Sequence, residues 1–64
     1  MNITVNGKDL NIDTKTKPFT IADLLKYLEI DFWIDVEKNG ELAARTDEVV
    51  DGDWIKIARF IRGG

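Results

Sequence analysis

The residues of this chain best placed to do chemistry are its last two, Gly63-Gly64, which follow Arg62 and the strand-like run Trp54-Ile55-Lys56-Ile57-Ala58-Arg59-Phe60-Ile61. Glycine makes up roughly 7% of residues in average proteins, so a terminal pair arises by chance in only about 0.5% of chains. A frayed terminus or a remnant of trimming is the plainer explanation. The chemical explanation starts from an α-carboxylate on a tail without side-chain bulk. Such a group titrates near pH 3.5 and is ionised at neutral pH. It stays a weak electrophile until another molecule activates it. Glycine at both positions lets the backbone pass a narrow channel and adopt φ angles closed to other residues.

The rest of the composition points away from catalysis by the chain's own side chains. The 64 residues include no cysteine, which excludes disulfides, thiol nucleophiles and cysteine metal sites together. They include no histidine, the commonest general base and metal ligand. A chain of this length makes one domain, 1–64, that buries only about 60% of the surface its unfolded form exposes. A core and an enclosed catalytic pocket are hard to build together from so little chain. With twelve acidic against nine basic side chains the net charge is −3, which disfavours binding to a phosphate backbone. No apolar run approaches membrane-spanning length, and Met1–Asn6 reads as a strand and not as a signal peptide. The expectation is a soluble, cytoplasmic, non-catalytic monomer that binds neither nucleic acid, membrane nor metal.

The elements that must carry the tail follow from hydrophobic period and turn residues. Met1, Ile3 and Val5 alternate with Asn2, Thr4 and Asn6, the period of a half-buried strand. Asn6-Gly7 then provides a two-residue hairpin turn, and Leu10 and Ile12 alternate with Asp9, Asn11 and Asp13 on the return. After a polar connector and Pro18, Thr20 is an N-cap, Asp23 completes a capping box, and Phe19 and Leu24 stand where a hydrophobic staple forms. Ile21, Leu24, Leu25 and Leu28 mark one face of a helix of about ten residues, with Lys26, Tyr27 and Glu29 outside it. Ile34 and Val36 open a third strand. Asn39-Gly40 repeats the hairpin signal, and Glu41–Arg45 returns with Leu42 and Ala44 on one face.

In the connector 46–51, Val49-Val50 can plug the edge of the core, and Gly52-Asp53 turns the chain into the last strand. There Ile55 and Ile57 point one way, and Trp54, Lys56, Ala58 and Phe60 the other. One helix with one apolar face must cover one face of a sheet. Hairpin, helix, hairpin and strand, with the first and last strands adjacent and parallel, make an α+β ubiquitin-like β-grasp of about five strands.

On the open face of that sheet Trp54, Ala58 and Phe60 form an apolar strip, which with Arg59 and Ile61 is a candidate docking surface for partners. The bland alternative folds Trp54 over the sheet edge and uses Phe60 to cap the core. Phe32 and Trp33 read as core or loop plugs. Lys56, Arg59 and Arg62 concentrate positive charge near the tail, either to steer it toward an acidic groove or simply to solubilise the strand. Asp9, Asp13, Asp47, Glu48, Asp51 and Asp53 read as turn and solvated positions, with Asp53 serving the turn at Gly52. The tail 62–64 is expected to be disordered in isolation.

The order of elements and several segments resemble the sulfur carriers of thiamine biosynthesis, the ThiS family, with the small subunit of molybdopterin synthase (MoaD) as a relative. The resemblance covers the full length. Its carriers are Val5-Asn6-Gly7, Thr20-Ile21-Ala22-Asp23-Leu24-Leu25, Val36-Glu37-Lys38-Asn39-Gly40-Glu41-Leu42 with Arg45, Asp51-Gly52-Asp53-Trp54-Ile55-Lys56-Ile57, and the terminal Gly63-Gly64. It implies an adenylating, E1-like partner that uses ATP to form an acyl-adenylate on Gly64. Sulfur then displaces AMP to leave a thiocarboxylate, which a thiazole synthase consumes. Gly63 and Arg62 would thread the partner's channel, and the carrier itself would bind no cofactor. Two features depart from the family pattern: a shorter connector between Arg45 and Gly52, and an arginine at Arg62 where many relatives have a small residue. The molybdopterin type of carrier, a protein modifier joined through Gly64, and a plain β-grasp adaptor without tail chemistry are the alternative readings.

Overall fold

Both Asn-Gly pairs make the turns their chemistry predicts. Asn6 and Gly7 have φ of 51° and 82°, and Asn39 and Gly40 have 53° and 87°. Two consecutive positive φ values define the primed turn whose twist matches that of the flanking strands. In the computed structural model, which describes residues 1–15, 17–30 and 34–59, the first turn joins β1 (Asn2–Val5) to β2 (Lys8–Asn11). The second joins β3 (Ile34–Lys38) to β4 (Glu41–Leu42). The helix α1 (Ile21–Tyr27) lies between the hairpins, and β5 (Trp54–Arg59) closes the order. The sheet runs β2-β1-β5-β3-β4, with β5 parallel to β1 and antiparallel to β3. This is the ubiquitin-like β-grasp that the pattern of elements predicts.

The core lies between α1 and one face of the sheet. Ile21, Leu24 and Leu25 of the helix are buried with Ile3, Val36 and Ile55 of the three inner strands, and Ile12, Phe19 and Val49 close the ends. The helix begins on a full capping box. The Asp23 N–H donates to Thr20 Oγ1 at 3.3 Å, and the Thr20 N–H donates to Asp23 Oδ2 at 2.9 Å. The first N–H groups of a helix have no partner within it. Here the connector supplies them: Ile21 N–H donates to the Asp47 carbonyl and Ala22 N–H to the Arg45 carbonyl, each at 2.9 Å.

The helix is shorter than its apolar period suggests. It stops because Glu29 takes φ 59°, with its N–H on the Lys26 carbonyl and the Ile30 N–H on the Leu25 carbonyl. These are the two bonds of a Schellman ending, in which the residue after the left-handed position packs back on the helix. Ile30 is half-buried against the core, so its burial outweighs the preference for glycine at position 29.

Two further expectations are corrected. The fourth strand does not run to Arg45; it is only Glu41–Leu42, and Leu42 and Ala44 are exposed. The two-residue turn pairs Lys38 with Glu41 and Glu37 with Leu42. Directly opposed residues share a face, so Leu42 lies with Glu37 on the open side of the sheet. The half-buried Ala43 takes the inward place instead, its N–H donating to the Val36 carbonyl at 2.8 Å. Val49 plugs the core as expected, but Val50, its neighbour in an extended segment, is 49% exposed.

Asp53 is the one charged residue in the described core, 6% exposed, and it is not a solvated position. It does serve the turn at Gly52. Its Oδ2 accepts from the Val50 N–H at 2.8 Å, its Oδ1 accepts from Asn39 Nδ2 at 3.0 Å, and its carbonyl accepts from the Thr4 N–H at 3.0 Å. It therefore ties the last turn to both neighbours of β5. Removing one partner of a buried hydrogen bond leaves the other with an uncompensated desolvation cost. Asp53→Ala should lower the unfolding free energy by about 1–3 kcal/mol. A urea titration that moves by less than a few tenths of a kcal/mol would show that Asp53 ties nothing together.

Candidate functional site

β5 runs up the middle of the sheet and delivers the chain to its last residues. Pairing with β3 extends through Ile57↔Val36 and Ala58↔Asp35 to Arg59↔Ile34, the last described pair. On the other flank, register with β1 covers Trp54↔Thr4 and Ile55↔Val5. Phe60, Ile61, Arg62, Gly63 and Gly64, the tail expected to do the chemistry, lie outside the described residues, as do Phe32 and Trp33. Arg59 is described as a strand residue only. What the structure places is therefore the strand that presents the tail and the surface beside it.

That surface is the open face of the sheet. Trp54 is 48% exposed there, and Lys56 and Ala58 follow it at alternate positions, as the two-residue period of a strand requires. Ile55 is buried and Ile57 half-buried on the opposite side. Trp54 thus stands on the central strand and not at a sheet edge. Leu42, missed by sequence reasoning, belongs to this face and is 77% exposed. Glu37 separates it from Lys56, being opposite both in the two ladders. Counting outward from Asn39-Gly40 would have found Leu42, because a two-residue turn sets the register residue by residue.

Of the positive charges expected near the tail, only the Lys56 side chain is described, since those of Arg59 and Arg62 lie outside the described residues. Glu37 stands directly across from Lys56, and Asp35 across from Ala58. On the far strand Asp9 accepts from Thr4 Oγ1 at 3.2 Å. The face is apolar at Leu42 and Trp54 with a mostly acidic surround.

Two further acids serve the backbone. Asp47 Oδ2 accepts from the Ala44 N–H at 3.0 Å and Asp51 Oδ1 from the Asn2 N–H at 2.6 Å. Among the described residues no three His, Cys, Asp or Glu side chains are grouped to hold a metal ion. No described helix is long and apolar enough to cross a membrane.

No family model matches the chain, and no curated protein does. Solved structures do. The thiamine biosynthesis protein ThiS from Geobacter metallireducens superposes with a TM-score of 0.82 at 33% identity, covering 100% of both chains. The chain belongs to the ThiS family. SAMP1 from Haloferax volcanii superposes with a TM-score of 0.65 at 18% identity over 98% of this chain and 97% of its own, a likeness that speaks for the fold alone. For a ThiS-family protein the described surface has an informative layout. Of the exposed apolar residues, Trp54 lies on the strand that precedes Gly63-Gly64 in the chain, and Leu42 lies on β4, across the intervening β3.

The assignment of Leu42 to the open face is testable without any partner. Leu42→Asp should leave stability within about 0.5 kcal/mol of the parent in a denaturant titration, as substitutions at exposed sites do. An inward-facing leucine would cost several times more, and such a loss would return Leu42 to the core.

Proposed function

We propose that this chain is a sulfur carrier that works at the α-carboxylate of Gly64 and not through its own side chains. The observation that carries the reading is the full-length likeness to ThiS at 33% identity. The position of β5 supports it, since the central strand leads directly to Gly63-Gly64. On this reading an E1-like partner binds the open face and receives the tail, with Arg62 and Gly63 passing its channel. A carboxylate oxygen of Gly64 attacks the α-phosphorus of ATP, pyrophosphate leaves, and a mixed anhydride with AMP forms. A hydrosulfide-level donor then attacks the acyl carbon. The C–S bond forms, the C–O bond to AMP breaks, and a thiocarboxylate remains on Gly64.

The thiocarboxylate serves thiazole formation for thiamine, handed to a thiazole synthase. ATP is consumed on the partner, and the carrier is neither enzyme nor cofactor protein. The absence of cysteine and histidine agrees with a chain that is acted upon, because the sulfur is held on the backbone terminus. Anchoring falls to Leu42, Trp54 and Ala58, since a few apolar and aromatic side chains at the centre of an interface carry most of its binding energy.

Incubation with ATP, the cognate activating enzyme and a sulfide source should yield intact protein with one terminal oxygen exchanged for sulfur by mass spectrometry. Deleting Gly64 should abolish the exchange while the circular dichroism spectrum stays unchanged. Trp54→Asp should instead weaken binding to the activating enzyme by about tenfold or more, with the tail chemistry intact at saturating enzyme. Sulfur transfer by the Gly64-deleted chain would refute the tail mechanism.

A further inference from the structure

The two Asn-Gly turns are a matched pair with one difference. Their backbones agree, with φ of 51° and 82° at Asn6-Gly7 and 53° and 87° at Asn39-Gly40. Each asparagine N–H donates to a carbonyl of β5, Asn6 to Ile55 at 2.9 Å and Asn39 to Trp54 at 2.7 Å. Each side-chain oxygen accepts from a β5 N–H, that of Asn6 from Ile57 at 2.7 Å and that of Asn39 from Trp54 at 2.9 Å. The side-chain nitrogens differ. Asn6 Nδ2 donates to the neutral Ile57 carbonyl at 3.2 Å, exposed to solvent. Asn39 Nδ2 donates at 3.0 Å to a carboxylate oxygen of Asp53, in a partly buried bond.

Asn-Gly is also the pair in which an asparagine is most open to attack by its own backbone, because glycine has no Cβ to shield the following nitrogen. The glycine nitrogen attacks the asparagine Cγ and gives up its proton. A new C–N bond closes a succinimide ring, the Cγ–Nδ2 bond breaks, and ammonia leaves. Water then opens the ring to aspartate or isoaspartate. The attack needs the side chain to leave its partners, and a hydrogen bond to an ionised group is roughly twice as strong as a neutral one. It also puts negative charge on the Cγ oxygen, which a carboxylate a few ångströms away opposes. We propose that the folded chain modifies itself at Asn6, and that Asp53 guards Asn39 against the same reaction. The guarded position is the one that cannot accept the product. Aspartate at 39 would set an oxygen where Nδ2 now lies, 3.0 Å from Asp53 Oδ1, and the two charges would repel. Aspartate at 6 meets the neutral backbone of Ile57.

The test is incubation of the parent at mildly alkaline pH, folded and in urea, followed by mass spectrometry of the tryptic peptides 1–8 and 39–45. Each peptide carries one Asn-Gly pair, and fragmentation separates Asn6 from Asn2. In the folded parent Asn6 should convert about fivefold or more faster than Asn39. In urea the two should convert at similar rates, because the dipeptide is the same. Asp53→Ala should bring the Asn39 rate up to that of Asn6 in the folded state. The ratio of the two rates is the readout, since a general loss of stability raises both. Asp23→Ala, which breaks the capping box of α1, supplies that control and should leave the ratio at the parent's value. If Asp53→Ala does not fold, the folded and urea rates of the parent decide alone. Equal rates in the folded parent, a faster Asn39, or a gap that persists in urea would overturn the proposal. So would an Asp53→Ala ratio like the parent's.

Discussion

Everything in this fold depends on keeping its last strand in the middle. β5 is the last element along the chain, yet it lies between β1 and β3 and fills the core with Ile55. A central strand has two flanks of backbone donors and acceptors to satisfy, and both must be satisfied at once. The ladder with β3 does this over the length of the strand on one side. On the other, β1 ends at Val5, and the Asn6 side-chain amide meets the backbone of Ile57, donating to its carbonyl at 3.2 Å and accepting from its N–H at 2.7 Å. At the entrance, buried Asp53 joins the Val50 N–H, the Asn39 amide and, through its carbonyl, Thr4 of β1. Polar side chains that would be ordinary turn residues elsewhere here hold the two hairpins to the strand between them.

The same economy governs the helix. Seven residues of helix are too few to be stable alone, since nucleation is unfavourable and isolated helices below about 12–15 residues are marginal. Burial of Ile21, Leu24 and Leu25 supplies the stability, and the capping box, the Schellman ending and the connector carbonyls account for the end groups. The connector 43–53 is therefore more than a link between strands. It caps the helix through Arg45 and Asp47, pairs with Phe19 through the Val49 N–H, and seals the core with Val49.

Much of this was legible in the sequence, and the misses share one cause. Asn-Gly pairs, the capping box at Thr20 and the apolar alternation of β1 and β5 are local signals, each with its own mechanism, and each gave the element it predicts. Where the outcome depends on register or on a neighbour in space, local pattern failed. Alternation puts Leu42 and Ala44 on one face of a longer strand without saying which face, and the turn register assigns Leu42 to the solvent side. The helix looked longer because Leu28 keeps the period, but burial of Ile30 demands the turn at Glu29. Asp53 looked solvated because most aspartates are. Nothing in its neighbours on the chain announced that Asn39, fourteen positions away, would donate to it. Trp54 and Ala58 are exposed on the face that period two assigns them, whereas the tail beyond Arg59 has only its composition to speak for it.

Size ties these observations to the proposed role. Among the described residues of this 64-residue domain the buried apolar side chains form one small core between α1 and the sheet. The functional opportunities left to it are a face and a chain end. The face offers Leu42 and Trp54 beside acids, a pattern suited to a protein partner and ill suited to a phosphate backbone. On the carrier reading, the α-carboxylate of Gly64 needs no side chain for its reactivity, only delivery. Delivery is a mechanical task, and a strand paired on both flanks is the stiffest support that so short a chain can build. On the carrier reading, the fold serves the reaction by holding still while another protein's active site does the chemistry.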